Sequence, residues 1–79
     1  MTWQMTMKHE LIEINPEVMG GKPVIKGTRL TVELILRELG AGMAVEEMLA
    51  EHPRLTMEAI RAAQSFAADY IRDEEIIYG

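Results

Sequence analysis

Apolar residues recur at helical spacing in three stretches. Val32, Ile35, Leu36 and Leu39 fall at i, i+3, i+4 and i+7, one face of a helix. Thr31 supplies a side-chain oxygen to cap its start, and Gly40-Ala41-Gly42 ends it. Leu34 falls on the polar side of this stripe, as an ordinary surface residue or an interface residue. Val45, Met48 and Leu49 mark a short second helix that Pro53 stops. Its cap position holds Ala44, which has no acceptor, so this start is weakly specified. Leu55 is expected as a core plug in the turn. A third helix is expected from Met57 to Arg72, capped by Thr56. Its inner stripe reads Ala59, Ile60, Ala63, Phe66, Ala67, Tyr70 and Ile71.

The chain before residue 31 has a different pattern. Leu11-Ile12-Glu13-Ile14 is short, rich in β-branched residues and followed by Asn15-Pro16, a strand and turn signal. Val18 to Pro23 reads as loop. Val24-Ile25 and Arg29-Leu30 flank Lys26-Gly27-Thr28 as a small paired extended segment, with Gly27 fit for the left-handed position of a type II turn. The expected class is therefore mainly α: one domain with short strands and a Gly/Lys loop over 9–30, three helices over 31–72, and a tail over 73–79.

At 79 residues the chain can hold only a small core, and it has no cysteine, so neither disulfide nor thiolate site can staple it. Association with another chain is the remaining staple. Two histidines, His9 and His52, rule out a His-rich metal cage. No apolar run has signal-peptide or membrane-span length, which points to a cytoplasmic protein with no membrane contact.

The net charge of −5 opposes nucleic-acid binding by charge alone, yet it is unevenly spread. Residues 1–30 sum to +1 and residues 31–79 to −6. Lys22, Lys26 and Arg29 cluster in GGKPVIKGTR, either as phosphate contacts or as solvated loop charges. A P-loop is excluded: Pro23 follows Gly21-Lys22 and lacks the N–H that a phosphate cradle uses.

Chemistry of other kinds is scarce. Ser65 is the only serine, placed mid-helix without a neighbouring histidine. Asp69 and Asp73 share a helix face, but Arg72 beside them favours a charge-balanced surface over a cation pair. No catalytic residue, metal ligand or cofactor is expected.

The second helix, a five-residue connection and the third helix have helix-turn-helix spacing. In a DNA complex Arg61 would read guanine, Gln64 adenine, and Thr56 a phosphate, with Ser65 nearby. Against this, Glu58 opposes phosphate approach, and a third bundle helix is explanation enough for the pattern. The tail, Asp73-Glu74-Glu75-Ile76-Ile77-Tyr78-Gly79, combines three acids with three large apolar residues, unusual for a solvated end.

The string Ile14-Asn15-Pro16, then Gly20-Gly21-Lys22-Pro23-Val24-Ile25-Lys26-Gly27-Thr28-Arg29-Leu30-Thr31-Val32, resembles a family known as domain of unknown function 433. Leu39, Gly42, Glu46-Glu47, His52-Pro53-Arg54-Leu55-Thr56 and Ile60-Arg61-Ala62-Ala63 continue the likeness over roughly residues 9–71. The resemblance implies a homeodomain-like helix-turn-helix bundle preceded by short strands. It also implies a non-enzymatic, antitoxin-like homodimer that silences a PIN-like ribonuclease toxin and binds operator DNA. On this reading Ile71, Ile76, Ile77 and Tyr78 anchor the toxin, and Asp73, Glu74 and Glu75 mask its basic RNA-contacting residues. A stand-alone DNA-binding regulator and a protein-interaction module without nucleic acid are the alternatives.

Overall fold

A computed structural model describes residues 9–78, with side chains for residues 9–72. Its elements in order are β1 (Ile12–Glu13), a 3-10 turn (Met19–Gly21), β2 (Val24–Ile25), α1 (Val32–Gly40), α2 (Val45–Glu51) and α3 (Met57–Tyr78). The class is the expected one, three helices preceded by a two-stranded antiparallel sheet.

β1 and β2 pair with Ile12 opposite Ile25 and Glu13 opposite Val24. The chain turns back at Lys26-Gly27, where the Thr28 N–H donates to the Ile25 carbonyl at 2.9 Å. Gly27 has φ 80°, the left-handed value that the third residue of a type II turn requires. The returning segment bonds β2 from the other side through Ile25 N–H to the Leu30 carbonyl and a bridge between Val24 and Thr31. Val24 and Ile25 are thus flanked on both edges and fully buried.

Each helix end follows local chemistry. The Thr31 hydroxyl accepts from the Leu34 N–H at 3.0 Å, capping α1. α1 closes in a Schellman motif: Met43 N–H reaches the Glu38 carbonyl and Gly42 N–H the Leu39 carbonyl, with Gly42 at φ 102°. α2 has only half a capping box. Glu47 Oε1 accepts from the Ala44 N–H at 3.1 Å, and Ala44 has nothing to return. His52, restricted by Pro53, leaves the helical region at φ −124°, ψ 89°. The Thr56 hydroxyl caps α3 through the Ala59 N–H at 3.0 Å.

The core joins Ile25, Val32, Ile35, Met48, Leu55, Ala59, Ile60 and Ala63, with Leu36, Leu39, Leu49 and Phe66 packed around it. Leu55 is the plug that its position suggested. Leu34, off the main stripe, is half-buried. Two inner-stripe expectations fail: Tyr70 is 60% exposed and Ile71 59%. The reason is length. α1 has 9 residues and α3 has 22, so at about 1.5 Å per residue α1 covers less than half of α3. α3 also runs past Arg72 to Tyr78, since no breaker precedes Gly79.

Candidate functional site

The polar candidates fall in three places. Lys22 turns toward α1, where its Nζ donates to Glu33 Oε1 at 3.3 Å, and Arg37 pairs with the other Glu33 oxygen. The hydrogen bond and charge of Lys22, then the charge of Arg37, hold the Glu33 carboxyl below its usual range. Lys26 is exposed and lines a cleft of about 530 Å³ with His9, Glu10, Glu13 and Phe66. Acids therefore flank this lysine. Arg29 is exposed at the end of the turn.

The third place is the start of α3. Thr56, Arg61 and Gln64 are exposed and Ser65 is half-buried. The Thr56 hydroxyl is occupied as the helix cap. Arg54 was not among the sequence candidates, although it stands in the connection before α3. Its Nη1 donates to the Gly27 carbonyl at 3.0 Å, fastening the Lys26–Arg29 turn to the α2–α3 connection. Only the fold brings these segments together. The three basic candidates of the Gly/Lys loop therefore do not form one patch: Lys22 pairs across to α1, while Gly27 sits against Arg54.

The apolar candidates border a larger cleft of about 780 Å³. Pro23, Leu36, Phe66, Tyr70 and Ile71 line it, with Glu33 and Arg37 among its polar residues. Phe66 and Tyr70 stack along α3, ring centroids 6.2 Å apart and 20° between planes. Ile14 reaches both clefts and is also exposed. The side chains of Ile76, Ile77 and Tyr78 lie outside the described residues.

One buried polar contact had no sequence signal. His9 is 6% exposed, and its Nε2–H donates to Asp69 Oδ2 at 2.9 Å, since an ionised carboxylate only accepts. Phe66 meets the His9 ring edge-on at 5.3 Å. His9 Nδ1 is buried with no hydrogen-bond partner among the described residues. The pair ties the segment before β1 to the middle of α3. Asp69 is thus engaged across the fold, sixty residues from His9 in the chain.

These features define a small, mainly helical domain with a basic turn at one end of α3 and an apolar cleft at the other. Residues 12–67 match the family described as "Protein of unknown function (DUF433)", and the chain belongs to that family. It is 37% identical over 71 residues to an uncharacterized protein, y4eO, of Sinorhizobium fredii, a match covering 89% of this chain. The chain spans about a third of that relative, 32% of its length. The fold is similar to the crystal structure of a DUF433 member protein from Anabaena variabilis, with TM-score 0.76 and 31% identity. That likeness covers 96% of this chain and 77% of the other. No helix among the described residues is long and apolar enough to cross a membrane.

Proposed function

We propose that this protein is a non-enzymatic, antitoxin-like interaction domain whose principal ligand is a protein, of the PIN-like nuclease class. One observation carries this reading: the exposed Tyr70 and Ile71 on α3, bordering a cleft walled by Pro23 and Leu36. Large apolar side chains open beside a concave surface are the raw material of a protein interface. The sequence continues the pattern through Ile76, Ile77 and Tyr78, interleaved with acids suited to a basic partner. Homodimerisation and a cytoplasmic location belong to the same proposal.

The test is co-expression with the adjacently encoded protein, followed by affinity capture. Retention of a nuclease by the wild-type chain, and at least tenfold weaker retention by Ile71→Ser, supports the reading. Equal capture by both overturns the role of this surface.

A second reading, operator DNA binding, is favoured by the Arg54–Gly27 contact, which sets a basic turn beside the start of α3. Lys26, Arg29, Arg54 and Arg61 would then contact DNA, and Gln64 a base edge. Electrophoretic mobility of the protein's own promoter, with wild type and Arg61→Ala, tests it. Affinity that ignores salt and the substitution would discard it.

A further inference from the structure

We propose that the C-terminal ends of α1 and α2 form a site for one divalent transition-metal cation of the zinc class, ligated by Glu38, Glu51 and His52. The site is independent of the reading just given and uses none of its residues.

Glu38 lies in the last turn of α1, where the Schellman motif turns the chain toward α2. Glu51 ends α2, and His52 follows in an extended conformation that Pro53 imposes. One ligand atom from each of the three residues lies within 4.8 Å of the others. A tetrahedral cation bound at about 2.1 Å keeps its ligands about 3.4 Å apart. Small side-chain rotations close that gap, and Glu51 is exposed and free to make them.

A separate observation leaves an acceptor open at this place. Glu38 Oε1 is buried and accepts no hydrogen bond among the described residues. Buried polar atoms are nearly always satisfied, and a buried carboxylate oxygen is among the costliest to leave unpaired. Among the described residues no lysine or arginine hydrogen-bonds to it. Arg37 and Lys22 are committed to Glu33, and Arg54 to Gly27. Two carboxylates so close together also repel each other unless a cation lies between them. The carbonyl ends of two helices add negative potential at the same place.

The donor set selects the ion. An imidazole with two carboxylates suits zinc and its neighbours better than magnesium or calcium, which prefer all-oxygen shells. Three protein ligands leave one position for water. A bound ion would fix the end of α1 to the first residue of the connection leading into α3.

Zinc chloride titrated calorimetrically into the chelator-stripped full chain tests this. One ion per chain is expected, with a rise in the thermal midpoint, and no response to magnesium at the same concentration. Glu38→Gln, nearly isosteric, and His52→Asn should each weaken zinc at least tenfold. Glu46→Gln, an exposed acid in the first turn of α2, should bind as wild type. Imidazole nitrogen shifts in NMR should move for His52 and not for His9. Absence of binding at millimolar zinc, unchanged affinity in Glu38→Gln, or shifts confined to His9 would each overturn the site. Glu38→Gln carries the test alone if His52→Asn does not fold.

Discussion

The two halves of α3 carry the same apolar spacing in different surroundings. Ala59, Ile60 and Ala63 are buried against Ile35, Met48 and Leu55, whereas Tyr70 and Ile71 stand open beside the cleft. Spacing therefore defines a face, and burial depends on whether another element is long enough to cover it. α1, with 9 residues against 22, does not reach along the second half of α3, which has the Phe66 stacking, the His9–Asp69 contact and the cleft. The first half is held by packing. The second leaves Tyr70 and Ile71 exposed among the described residues.

The sharpest way to break this comparison is to truncate one isoleucine in each half. Ile60→Ala should cost about 3 kcal/mol, because a fully packed side chain leaves a cavity. Ile71→Ala should change stability by no more than about 0.5 kcal/mol, as exposed substitutions usually do. Urea unfolding followed by circular dichroism reads both. A loss above about 1 kcal/mol in Ile71→Ala that grows with protein concentration would mean that a second copy covers this half.

A smaller effect is expected at the polar tie of the second half. Asp69→Asn replaces a carboxylate that accepts from a buried histidine and should cost about 1–2 kcal/mol. Its signature is local. Amide exchange should quicken at Ile12, whose N–H bonds the His9 carbonyl, more than at Ile35 in the core. Uniform acceleration would instead make the contact part of the global fold.

The first half of α3 was legible in the sequence because each signal was local. Thr31 and Thr56 as caps, Gly27 and Gly42 at left-handed positions, Pro53 as a stop and Leu55 as a plug all act within a few residues. The exposure of Tyr70 and Ile71 was not legible, since it depends on where α1 ends relative to α3. His9 with Asp69, Arg54 with Gly27, and Glu38 beside Glu51 and His52 were hidden for the same reason. Each is a contact made by the tertiary fold.

Ala44 offers a gain rather than a loss. Ala44→Ser would complete the capping box that Glu47 half-makes and should stabilise the chain by about 0.5–1 kcal/mol. Because α2 packs Met48 against the first half of α3, the gain should appear in global unfolding. A thermal midpoint unchanged by the substitution would mean that α2 contributes little to that half.

The smallest effect lies at the cleft beside the second half, where Lys22 and Arg37 flank Glu33. Lys22 chiefly holds the Glu33 carboxyl below its ordinary value of 4.5. A depressed carboxyl stabilises the fold above its unfolded value, and the contribution is lost as pH falls through the folded one. The trio is exposed, so water and salt screen it and its share of stability at neutral pH is slight. Glu33→Gln should therefore leave the neutral-pH midpoint nearly unchanged and flatten the melting curve's decline below about pH 4.5. A partner seated in the cleft would desolvate the same trio. Glu33→Gln should then weaken capture of that partner while stability holds, separating the cleft's binding role from any part in the fold.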